Sequence, residues 1–143
     1  MTQGRVVSLQ VSKGRRQPMT QVQEAVAISD FGLEGDRHAM KGNARQVLLA
    51  DLETLRHHGL TPGTIKENIT VDGLELSSVE AGHVFFIGDS VTLEVTGDCL
   101  PCSRMDEIRP GLREELNGRR GVLATVLNGG TLKVGDTVRV EPS

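Results

Sequence analysis

The chain's two cysteines stand at CxxC spacing within Thr96-Gly97-Asp98-Cys99-Leu100-Pro101-Cys102-Ser103-Arg104-Met105-Asp106-Glu107. Ser103 three residues before Asp106 reads as a capping box. The hydroxyl would take an orphan amide of a first helical turn, with the carboxylate on the positive end of the dipole. Cys102 is then expected just outside a helix N-terminus, where backbone amides and Arg104 favour thiolate over thiol. That makes Cys102 the expected nucleophile. Cys99 has no such dipole aimed at it, and is placed to attack a persulfide or sulfenic acid on Cys102 as a resolving thiol. The fixed φ of Pro101 opposes that closure. The competing reading takes both cysteines as small buried hydrophobes.

Other residues capable of chemistry lie far off in sequence. Gly32-Leu33-Glu34-Gly35-Asp36-Arg37-His38-Ala39-Met40-Lys41-Gly42 puts an acid, a histidine and cations into one glycine-supported loop, a composition that a solvated connection shares. Arg45-Gln46 follows. Glu67-Asn68 opens a strand; Asn68 donates and accepts at once, which suits a heterocycle and equally suits turn chemistry. Arg119-Arg120 precedes another strand and can hold an anion, although such pairs are more often solvated. His57 and His58 are read as surface groups near the carbonyl end of a helix.

The elements that must position these groups are short and mostly extended. Residues 5–11 alternate around Val7, Leu9 and Val11, and residues 24–28 form a second strand. Residues 45–49 read as strand, followed by a helix over 51–58 with Asp51 as N-cap; one helix over 44–58 fits the 3.6-residue period equally. Ile69 and Val71 share a strand face. A hairpin runs from 83–87 through Gly88-Asp89-Ser90 to 91–96. Short helices are expected at 103–108 and 111–116, then strands at 122–127, 131–134 and 137–140. Seven to nine short strands with few helices indicate a mostly β fold, a closed barrel or sandwich. The polar segments cluster at strand ends and are expected to converge on one cleft.

The chain of 143 residues is expected to be one domain with one core. A net charge of -3 and the absence of Trp and Tyr argue against nucleic-acid partners. Two cysteines three apart, with no apolar N-terminal run, point to the cytoplasm and away from a secreted disulfide scaffold. No apolar run approaches the roughly eighteen residues of a membrane span.

Together, Gly35-Asp36-Arg37-His38, Arg45-Gln46-Val47, Glu67-Asn68-Ile69, Thr96-Gly97 leading to Pro101-Cys102-Ser103, Arg120-Gly121-Val122, Gly129-Gly130 and Val134-Gly135-Asp136 resemble the MOSC domain, named for the C-terminal part of molybdenum cofactor sulfurases. The resemblance covers residues 6–140, the pattern of a small standalone member. It implies a closed β-barrel of the pyruvate-kinase β-barrel-insert type. It also implies a cysteine that carries sulfur as a persulfide, falling on Cys102, and a pocket lined by Asp36, His38, Arg45, Gln46, Glu67 and Asn68. Cys99 stands where many members carry an arginine. Pyridoxal phosphate, used by the related sulfurases, is not expected here.

Three functions follow. In the first, the chain binds molybdenum cofactor (molybdopterin) and carries sulfur on Cys102, with Arg37, Arg45 or Arg120 on the phosphate, and works with a cysteine desulfurase or molybdoenzyme partner. In the second, Cys102 ligates molybdenum in a reductase of N-hydroxylated compounds. The third is a zinc or dithiol module, for which a lone CxxC is weak support.

Overall fold

The computed structural model describes residues 3–142. Eleven strands form, four of them in the first third of the chain: β1 (Gln3–Val11), β2 (Thr20–Val22), β3 (Glu24–Ile28) and β4 (Gly32–Leu33). Next come β5 (Val47–Asp51), α1 (Leu52–His57), β6 (Ile69–Asp72), a 3-10 turn at Leu76–Ser78, β7 (Val84–Ile87) and β8 (Val91–Asp98). The remainder is α2 (Ser103–Ile108), α3 (Leu112–Glu115), β9 (Val122–Asn128), β10 (Gly130–Lys133) and β11 (Thr137–Glu141).

Seven strands close a barrel in the order β1, β11, β7, β8, β9, β5, β6 and back to β1, with β2 appended to β1. Every pairing is antiparallel except β5 with β6, where Leu49 faces Ile69 in a parallel register and α1 lies in the connection. Alternation puts one face of each strand inside: Val91, Leu93 and Val95 of β8, Phe85 and Ile87 of β7, Val122, Ala124 and Val126 of β9. A three-stranded sheet, β10-β3-β4, adds Ala25, Ala27, Leu33 and Leu132 to the same core.

A second, smaller core of Ala50, Leu55, Ile65, Met105, Leu112 and Leu116 gathers the three helices. Arg109 fastens them, donating to the His58 carbonyl at 2.6 Å and to Glu115 at 2.7 Å. The mostly β barrel expected from strand spacing is the fold observed, with two or more extra strands: β2 and β4 are too short to show a period. Residues 44–58 are not one helix. Asp51 caps α1, accepting from the Thr54 amide at 2.7 Å, and ends β5 at the same residue.

His58 departs from its expected surface role, because its ring is only 12% exposed and pairs with Glu115 at 3.1 Å. The capping box at α2 is also not formed. Ser103 is the first helical residue and Cys102 the N-cap, with no side-chain capping bond, while Asp106 accepts from the amide of Arg113 in the first turn of α3.

Candidate functional site

The site is built where loops from four strands meet. At the end of β1, the Ser12 amide donates to Asp36 Oδ1 at 2.7 Å and the Arg37 amide donates to the Ser12 carbonyl at 2.8 Å. The buried Asp36 carboxylate thus clamps its loop to the barrel, and also accepts the His38 amide at 3.2 Å. Arg37 and His38 are left exposed beyond the clamp, 3.1 Å apart from Nη1 to Nε2.

Gln46 sits under the same loop. Its side chain donates to Asp30 Oδ1 and to the Met40 carbonyl, and accepts the Val126 amide of β9 at 3.0 Å, with no exposed surface. Asn68 is likewise consumed by the scaffold. Its Oδ1 accepts the Leu48 amide at 3.0 Å, and its Nδ2 donates to the Gln10 carbonyl and to Asp36 Oδ1, each at 3.2 Å. The heterocycle-reading role considered for Asn68 therefore lacks free polar atoms, which tie β1, β5 and the Asp36 loop together instead.

The cysteine segment leaves β8 and runs into α2. The Cys99 amide donates to the Gly121 carbonyl at 2.9 Å, extending the β8–β9 ladder by one step and setting Cys99 beside the residue after Arg120. Gly121 itself has φ +127, and an added Cβ would strike the Leu49 carbonyl, so only glycine lets β9 approach β5 there.

These elements enclose a cleft of about 350 Å³ lined by Arg37, His38, Arg45, Lys66, Cys99 and Arg120, with Met40, Asn43, Leu48, Asn68 and Leu123 completing the wall. Four residues bear fixed positive charge. Arg120 is 6% exposed, and its Nε and Nη1 are buried without a hydrogen-bond partner. Burial pulls its guanidinium below the ordinary arginine value; the sulfur of Cys99, the Glu67 carboxylate and the sulfur of Cys102 oppose this, and Arg45 adds to it. The expectation that the Arg119-Arg120 pair is solvated holds for Arg119 alone.

Glu67 is wholly buried behind this wall. Thr70 donates to its Oε2 at 2.9 Å, whereas Oε1 has no partner. Burial raises its carboxyl above the usual value, against the pull of the Gly63 and Glu67 amides, the Thr70 hydroxyl and Arg120.

Of the residues singled out from the sequence, Arg37, His38, Arg45, Asn68, Cys99 and Arg120 meet at the cleft. Asp36, Gln46 and Glu67 brace it from behind. Cys102, exposed, and Arg104, half-buried, both lie outside the lining. Lys66 was missed; it adjoins Glu67-Asn68, and its positive φ of 69° turns the chain into β6. Among the described residues no cluster of three or more His, Cys, Asp or Glu side chains can hold a metal ion, so the zinc reading finds no ligand set. No helix among them is long and apolar enough to cross a membrane.

The MOSC domain profile matches residues 36–139, from the Asp36 clamp to β11. The chain belongs to the MOSC domain family. Solved structures share the fold of this MOSC protein at low identity. YuaD from Bacillus subtilis is 18% identical, with a TM-score of 0.84, covering 99% of this chain and 97% of that one. YiiM from Geobacillus stearothermophilus is 21% identical, with a TM-score of 0.77 and coverage of 96% and 75%. YiiM from Escherichia coli is 20% identical, with a TM-score of 0.73 and coverage of 97% and 70%. No curated protein matches the chain. The MOSC family is generally linked to molybdenum cofactor binding.

Proposed function

We propose that this MOSC protein binds molybdenum cofactor in the cleft, holds its phosphate with Arg37, Arg45, Lys66 and Arg120, and handles sulfur through Cys99 and Cys102. The observation that carries the reading is the Arg120 guanidinium, buried at the cleft wall with Nε and Nη1 unpartnered, beside Cys99. A buried guanidinium without acceptors costs several kcal/mol, on the order of 3. A phosphate supplies two acceptors in the planar geometry that arginine matches.

The chemistry of the lining fits such a group. A cleft of about 350 Å³ falls within the roughly 300–1,000 Å³ of small-molecule sites. Arg37 and Arg45 are exposed at the rim, where they attract an anion, while Asp36, Gln46 and Asn68 hold the loops in place. Bound cofactor would supply a metal centre able to exchange sulfur or oxygen ligands. The chain itself would contribute a soft thiol at the wall and a cationic seat.

Purification from cells that make the cofactor, with assays for molybdenum, oxidised-pterin fluorescence and cysteine persulfide, tests this. Wild type is expected to carry pterin and persulfide. Arg45→Gln, at an exposed site, is expected to retain wild-type melting and lose pterin at least tenfold. Absence of pterin from wild type refutes the reading. Stoichiometric molybdenum without persulfide replaces sulfur handling by the reductase of N-hydroxylated compounds.

A further inference from the structure

We propose that the two cysteines form an ordered relay in which Cys102 receives sulfane sulfur at the surface and Cys99 carries it into the cleft. The inference rests on the sulfur-handling reading above; it keeps Cys102 as the first nucleophile and makes Cys99 the inner carrier in place of a resolving thiol. Cys102 is exposed, lies outside the cleft lining and makes no capping bond. Two residues before it, Leu100 is 76% exposed, so this segment of the surface is open to a bulky donor. Cys99 is buried and lines the cleft, its backbone pinned to Gly121 beside Arg120.

The tether suits transfer. Cys102 is fixed on its side by the first turn of α2, where the Met105 amide donates to its carbonyl at 3.0 Å. Only Leu100 and Pro101 lie between the two anchors, so the Cα atoms are separated by at most about 11 Å of extended chain. Transfer over so short a span is intramolecular and independent of protein concentration.

Each step balances. The Cys102 thiolate attacks the outer sulfur of a donor persulfide, R–S–SH; the donor's S–S bond breaks, Cys102–S–SH forms, and the donor leaves as thiolate. The Cys99 thiolate then attacks that same outer sulfur, forming Cys99–S–SH and releasing the Cys102 thiolate. The sulfane sulfur keeps its proton and its oxidation level, so no oxidant or reductant is consumed. Attack at the inner sulfur would instead give a Cys99–Cys102 disulfide and expel hydrosulfide, a closure that the fixed φ of Pro101 opposes.

Glutathione persulfide coupled through its amine to agarose beads reaches only surface thiols, whereas the soluble compound reaches both. Fragment-ion mass spectrometry of the alkylated protein locates the added sulfur. With beads, wild type is expected to load Cys102 first and Cys99 later. Cys102→Ser, at an exposed position, is expected to lower bead loading of Cys99 at least tenfold while the soluble donor still loads it. Bead loading of Cys99 in Cys102→Ser within twofold of wild type overturns the relay. Sulfur that never leaves Cys102, or a disulfide with released sulfide, overturns it as well. If the soluble donor loads neither cysteine, the sulfur-handling reading fails and the relay fails with it.

Discussion

Replacing Gln46 by Met keeps length and volume but deletes an amide that makes three hydrogen bonds, to Asp30, Met40 and Val126. The Val126 amide lies in the core and would be left without a partner, at a cost of about 1–3 kcal/mol. Asp30 and Met40 are exposed residues whose acceptors water can reach, so each loses only about 0.5–1 kcal/mol. Burying a thioether in place of an amide returns about 1 kcal/mol. The balance is a loss of about 1–4 kcal/mol. At roughly 3 °C per kcal/mol for a domain of this length, Tm falls about 3–12 °C. Thermal circular dichroism reads the shift, and urea titration is expected to show a lower midpoint at unchanged slope. A fall smaller than about 2 °C, or loss of pterin without loss of stability, would refute the scaffold role and return Gln46 to the ligand.

Glu67 holds its proton more tightly folded than unfolded, so stability falls as pH rises from its ordinary value of 4.5 through the folded value. Glu67→Gln cannot charge, and its stability relative to wild type is expected to grow as pH rises above 4.5, by about 1.4 kcal/mol for each tenfold difference in proton affinity. A flat or shrinking difference contradicts this. Gly121→Ala forces a Cβ onto the Leu49 carbonyl at a positive φ, so a loss on the order of 2–4 kcal/mol is expected, with faster alkylation of Cys99 as its anchor loosens. Wild-type melting and labelling would show that the strands give way freely.

The barrel was legible because its strands are amphipathic at period two. Residues 91–95 alternate through Val91, Leu93 and Val95, and the Gly88-Asp89-Ser90 turn marks their hairpin. Asp51 announced α1 because its cap is local, bonding three residues ahead. The division of labour at the cleft was not legible. Asn68 looked suited to a heterocycle and the family resemblance put Gln46 in the pocket lining, yet their partners Gln10 and Val126 lie 58 and 80 residues away. Ser103 and Asp106 had the spacing of a capping box, but Asp106 faces α3, a tertiary contact that local pattern does not encode. The inward placement of Cys99 depends on Gly121, from a strand entered after two intervening helices.

The pairing of β1 with β11, Gln3 against Arg139, joins the two ends of the described chain in one ladder. Its consequence is temporal. β1, made before the other strands of this barrel, must wait for residues 137–141 before that edge is matched, on the order of 10 s at ordinary synthesis rates. Until then β1 and β7, the two neighbours of β11, each keep an open row of backbone donors and acceptors, the kind of edge that recruits strands from other molecules. Barrel closure is thus a late, long-range event, in the class of topologies that fold slowly.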